Sequence, residues 1–82
     1  MTRMTGVDAH RAAGELIDHL NRNTPLHLTW SSVSFTAVEG SSDEFLFTFH
    51  EGDREYATSC RLPLTSLSVA LTCNEIYQAL RG

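Results

Sequence analysis

An α+β fold, built as helix, three antiparallel strands and helix (αβββα) with both helices on one sheet face, is predicted by three observations. Apolar residues recur at helical spacing from Gly6 to Arg22, phenylalanines alternate with other residues from Phe45 to Phe49, and helical spacing returns from Leu67 to Leu80. No internal repeat, low-complexity tract or long linker interrupts this order. With 82 residues, 41% of them hydrophobic, the chain reads as a single small globular domain over residues 1–82 with one core.

In the first helix, Ala9, Ala12, Ala13, Leu16, Ile17 and Leu20 fall on one face. Thr5, followed three residues later by Asp8, has the pattern of a capping box, and a carboxylate there also suits the positive end of a helix. Asn23-Thr24-Pro25 stops the helix, because proline disfavours helical geometry in the residue before it. Arg11 with Glu15 and Asp18 with Arg22 are spaced for ion pairs on the outer face.

From Leu26 to Val38 the pattern is β-type with a change of phase. Leu26, Leu28 and Trp30 alternate in one register, and Val33, Phe35 and Ala37 in the other. A bulge or break at Ser31-Ser32 would let both sets face one core, whereas a straight strand would put Trp30 and Phe35 on opposite faces.

Gly40-Ser41-Ser42-Asp43 is a turn, and the alternation of Phe45, Phe47 and Phe49 then marks a strand. Gly52-Asp53 suits a two-residue type II′ turn, which sets Glu51 opposite Arg54, His50 opposite Glu55, Phe49 opposite Tyr56, Phe47 opposite Thr58 and Phe45 opposite Cys60. The face carrying the phenylalanines, Tyr56, Thr58, Cys60 and Leu62 is the core face. The other, with Leu46, Thr48, His50, Glu55, Ala57, Ser59 and Arg61, faces water.

Pro63 ends the third strand. Val69, Cys73, Ile76, Tyr77 and Leu80 then fit a helix capped by Thr65 or Ser66, with Gly82 at its end. Two readings compete, since Leu67, Val69 and Leu71 also alternate and Thr72-Cys73-Asn74-Glu75 is itself a capping pattern, which allows a fourth strand over residues 66–71. The layout from Ser34 to Arg81 resembles the double-stranded RNA-binding domain. That resemblance implies phosphate contact through lysines at the start of the last helix, where this chain has Leu64-Thr65-Ser66-Leu67-Ser68 and no cation.

The charge balance points away from nucleic acid. Net charge is −4, lysine is absent, and the six arginines (Arg3, Arg11, Arg22, Arg54, Arg61 and Arg81) are dispersed, so no basic patch forms to neutralise phosphates. No apolar leader or membrane-length apolar stretch occurs, which gives the expectation of a cytoplasmic protein without membrane attachment. Cys60 and Cys73 are too few for a disulfide framework and read as buried free thiols.

The chemistry-bearing residues do not form a recognisable catalytic or metal pattern. His10 and His19 project from opposite sides of the first helix, and His27 and His50 lack Cys or carboxylate neighbours at ligand spacing. No serine lies in a nucleophile-elbow motif and no glycine-rich phosphate loop is present. The expectation is a non-enzymatic protein with no cofactor and no metal.

Six of the ten acidic residues fall between Glu39 and Glu55. Glu39, Asp43 and Glu44 lie at one turn, and Glu51 and Asp53 at the other, about 20 Å away along the strand. Glu55, opposite His50, is partly neutralised. The turn carboxylates, with the lone Trp30, are the candidate contacts for a basic, nucleic-acid-binding surface of a partner protein. Small acidic inhibitors of the phage anti-defence type have this character. The alternatives are a structural homodimer, joined through the outer sheet face around Leu46, Thr48, Ala57 and Ser59 or through a strand edge, a degenerate double-stranded-RNA-binding-like domain, or a small-ligand or catalytic domain.

Overall fold

The computed structural model describes residues 5–81. Helix α1 (Gly6–Asn23) is followed by a single 3₁₀ turn (Trp30–Ser32), strands β1 (Val33–Ala37), β2 (Glu44–Glu51) and β3 (Arg54–Arg61), and helix α2 (Ser66–Leu80). The strands form one antiparallel sheet in the order β1-β2-β3, and both helices contact it. Residues 1–4 and Gly82, the latter expected at the end of the second helix, lie outside the described residues.

Alternation along the central strand decides which side of the sheet is covered. Phe45, Phe47 and Phe49 point to the helices and are buried, while Leu46 and His50, on the other face, are exposed. The expected hairpin register is present pair for pair, from Glu51 opposite Arg54 to Phe45 opposite Cys60. On the other side of β2, Val33, Phe35 and Ala37 stand opposite Phe49, Phe47 and Phe45, and the Phe35 and Phe47 rings meet with centroids 5.8 Å apart. Leu16, Leu20 and Ile76 from the helices join Phe47 and Phe49 as the largest fully buried side chains. Each such side chain contributes about 1.5 to 3 kcal/mol by leaving water.

Helix α1 buries the face its spacing predicts, and Ala9, Ala12 and Ala13 are small enough to bring its backbone close to its neighbours. At its start the Asp8 carboxylate accepts hydrogen bonds from the Thr5 N–H at 2.8 Å and the Thr5 hydroxyl at 3.1 Å. The backbone bond, then the hydroxyl, hold this carboxyl below the ordinary aspartate range. Arg22 closes on Asp18 at 3.1 Å. The helix runs one residue past Arg22. Thr24 then ends it, its N–H and hydroxyl both donating to the Leu20 carbonyl, at 2.9 and 2.6 Å.

The expected strand from Leu26 to Val38 is corrected in its first half. Residues 26–29 join neither helix nor strand, and several of their backbone groups are taken by side chains. The Leu28 N–H donates to Asn21 Oδ1 and the Leu28 carbonyl accepts from Asn21 Nδ2, each at 2.9 Å, while the Leu26 N–H donates to the Thr24 hydroxyl at 3.2 Å. Leu26 and Leu28 are thereby buried beside α1 without a sheet partner. The 3₁₀ turn at Trp30–Ser32 then absorbs the change of phase, so that Val33 and Phe35 also face the core.

Residues 66–71 are helical, which removes the fourth-strand alternative. The Thr65 hydroxyl caps α2 by accepting the Ser68 N–H at 3.1 Å. Cys73, Ile76 and Leu80 form its buried stripe. The Cys73 thiol donates to the Leu16 carbonyl of α1 at 3.5 Å. Both cysteines are free and buried. Burial pushes the Cys73 thiol up to about 12 and raises Cys60 as well.

Two outcomes follow. Asn21→Ala removes both bonds to Leu28 and is expected to cost about 1 to 3 kcal/mol in urea denaturation, with Asn21→Asp intermediate because it keeps the acceptor. Cys73, with a folded pKa above its unfolded value of 9.0, keeps its proton in the native state after the unfolded chain has lost its own. The sign is therefore that stability is unaffected below about pH 8 and declines as pH rises from about 9 toward 12, and Cys73→Ala flattens that decline in melts recorded across this range.

Candidate functional site

Strand β1 is shorter than the hairpin beside it. Its first residue, Val33, pairs with Phe49, so residues 50–55 extend beyond the end of β1 as an overhanging tip. Gly52 makes this possible with φ 64°, and no non-glycine residue among those described has positive φ, the sign pattern of the expected II′ turn. Asp53 and Glu55 are exposed on the tip and Glu51 is half-buried. Because Glu51 continues the alternation of Phe45, Phe47 and Phe49, it points to the helix side of the sheet.

Trp30 arrives at the same end. The turn that carries it leads directly into Val33 and contacts β2. Its indole lies parallel to the His10 imidazole, with centroids 4.1 Å apart and planes inclined by 5°. Gly14, one helical turn beyond His10, provides the floor. A Cβ there would stand 3.3 Å from Cη2 of the indole, so the glycine allows the ring to rest on the helix backbone. The turn itself is held by the Thr29 N–H, which donates to Ser32 Oγ at 3.1 Å, and by a 2.8 Å hydroxyl contact between Thr29 and Ser31. Half of Trp30 remains exposed, at 50% of its full area. This resolves its two alternative placements in favour of the surface, while Phe35 goes to the core side.

The remaining acidic candidates lie at the opposite end of β2, about 24 Å away at 3.4 Å per residue. Asp43 is committed to the turn, accepting from the Ser41 hydroxyl at 3.1 Å and facing the Arg61 guanidinium at 3.6 Å. Its carbonyl also accepts the Leu62 N–H at 2.7 Å. Glu44 stands opposite Arg61, and its N–H donates to Ser41 Oγ at 3.1 Å. Glu39 is exposed beside Gly40, whose φ is 84°.

The six carboxylates therefore divide three and three, each set beside one arginine: Glu51, Asp53 and Glu55 with Arg54, and Glu39, Asp43 and Glu44 with Arg61. His50 Nδ1 lies 3.3 Å from the Glu55 carboxylate, as the register requires. The site residues read from the sequence thus separate into Trp30, Glu51 and Asp53 at one end, and Glu39, Asp43 and Glu44 at the other. His10 and Gly14 were missed as partners of Trp30. Their i, i+4 spacing was visible, but nothing in the sequence showed that an aromatic ring would lie across it.

Other surfaces offer less. Between the helices runs an open groove of about 280 Å³ lined by His19, Asn23, Ala70, Cys73 and Tyr77. It continues past Glu15, Asp18 and Arg22 into one of about 370 Å³. Among the described residues no three His, Cys, Asp or Glu side chains come together as a metal site, and no helix is long and apolar enough to cross a membrane. The start of α2 presents Thr65, Ser66, Leu67 and Ser68 without a cation. No family model, curated protein or solved structure matches this chain.

The seat of Trp30 can be tested optically. Gly14→Ala improves helix propensity by about 1 kcal/mol but inserts a methyl group under the indole. The expected result is a folded protein whose single-tryptophan emission shifts to the red as the ring lifts from His10. Unchanged emission would show that residue 14 does not support the ring.

Proposed function

We propose that this chain is a non-enzymatic protein-interaction module that docks onto an arginine-rich surface of a partner protein through Trp30 and the tip carboxylates Glu51 and Asp53. The observation that supports it is the placement of a half-exposed tryptophan at the same end of the molecule as the overhanging acidic tip. A guanidinium can stack on the free face of an indole while neighbouring carboxylates accept its N–H groups, so the two residue types recognise one chemical group. Stacking on His10 holds the ring in place before contact, which reduces the ordering cost of binding. The negative field at the tip speeds encounter with a basic surface and disfavours acidic ones.

Such a module suits an inhibitor that covers a nucleic-acid-binding groove. It presents to the groove the charge that a phosphate backbone would present. It makes no direct contact with nucleic acid in this reading.

The test is an NMR titration with an arginine-rich peptide at low and high salt. The Trp30 indole N–H and the amides of Glu51 and Asp53 are expected to shift, with affinity falling several-fold between roughly 0.05 and 0.3 M salt. Trp30→Ala and the pair Glu51→Gln with Asp53→Asn should each weaken binding, and the pair Glu39→Gln with Glu44→Gln should change it little. Shifts confined to the Glu39 end, or binding indifferent to salt, would overturn the proposal.

A further inference from the structure

Among the described residues the outer edge of β3 is unpaired, since the sheet order is β1-β2-β3. A two-residue loop at Gly52-Asp53 makes Glu51 and Arg54 a hydrogen-bonded pair. Strict alternation then directs the N–H and C=O of Tyr56, Thr58 and Cys60 toward β2, and those of Glu55, Ala57, Ser59 and Arg61 toward the free edge. This edge has eight regular residues, with neither proline nor bulge, and between Glu55 and Arg61 it carries no charge. Edges left in this condition pair readily with another strand.

Helix α2 borders the same edge. Ser59, Cys60 and Arg61 share a groove with Leu64, Leu71 and Thr72. Leu71 and Leu67, four residues apart, are 59% and 68% exposed, and Glu75 is the only charged residue in the helix. Leu67 and Leu71 thus form an exposed apolar strip beside the edge.

We infer that the occupant is a second copy of this chain, joined by antiparallel pairing of β3 with β3 about a two-fold axis at Thr58. Side chains must stay on their own face of a continuous sheet, so only registers that match odd with odd and even with even residues are permitted. The register centred on Thr58 sets Ala57 opposite Ser59 of the second copy, and Glu55 opposite its Arg61. Symmetry repeats both, so each end of the interface gains an opposite-charge cross-strand pair on the outer face. The four outward residues of each strand form about eight backbone hydrogen bonds. The register one step away, centred on Ala57, leaves Glu55 opposite Ser59 and carries Arg61 past the end of the second copy's strand, opposite the turn residue Asp53. The result is a continuous sheet of six strands with the Leu71 side chains of the two α2 helices on the same face, beside the axis. β1 is a poorer edge, with five residues and no charge to set a register.

Sedimentation equilibrium of the whole chain over micromolar to millimolar concentration tests this. The wild type is expected to dimerise. Glu55→Arg places arginine opposite arginine and should weaken the dimer about tenfold, as should Arg61→Glu, while the double exchange Glu55→Arg with Arg61→Glu restores it. Leu71→Glu, on an exposed position that leaves the core intact, should also weaken it. Leu46→Glu, on the outer sheet face away from the edge, should not. A wild type monomeric throughout, a dimer indifferent to Glu55→Arg and Leu71→Glu, or failure of the double exchange to restore association would overturn the inference. Tip binding of the arginine-rich peptide is read separately on Leu71→Glu, which weakens the dimer without touching the tip residues Trp30, Glu51, Asp53 and Glu55.

Discussion

The side-chain alternation of β2 is the constraint on which the rest of the structure depends. Because Phe45, Phe47 and Phe49 all point one way, the sheet has one apolar side, and both helices must lie there to exclude water from it. A shift of one residue would exchange the phenylalanines for Leu46, Thr48 and His50 and leave nothing for α1 and α2 to cover. The Gly52-Asp53 turn enforces the register on β3 and the Ser41–Asp43 bonds enforce it at the other end. Strand parity thus sets the positions of the acidic residues too, with Glu51 on the helix side and Glu55 on the open side.

Much of this was legible in the sequence because it rests on local rules. The helical spacing in α1, the alternation in β2 and the two-residue turn each act within a few residues, and the element order and full hairpin register follow from them. What was not legible depends on contacts distant in the chain. Leu26 and Leu28 alternate as strand residues do, yet the Asn21 carboxamide supplies the hydrogen bonds a neighbouring strand would have given, and no pattern in the sequence marks an asparagine for that task. The ambiguity at residues 66–71 arose because Leu67 and Leu71 are exposed. Apolar residues outside the core blur helical and strand periodicities alike.

For the candidate site the limit was of another kind. Residue types and turn positions were readable, and so was the division of the carboxylates between two turns. Which turn shares an end with Trp30 was not, because it depends on where β1 begins against β2 and on how the 3₁₀ turn takes up the change of phase. The same geometry moved Asp43 from free surface charge to turn lock. A charge count treats all six carboxylates alike, whereas the hydrogen bonds separate those that hold the chain from those left to meet solvent or a partner.

The seat of Trp30 on Gly14 couples two positions sixteen residues apart. A glycine inside a helix is a cost without a local return, and here the return lies under the indole. The two positions therefore act as one unit: a side chain at position 14 would unseat the ring, and without the ring the glycine would only weaken the helix.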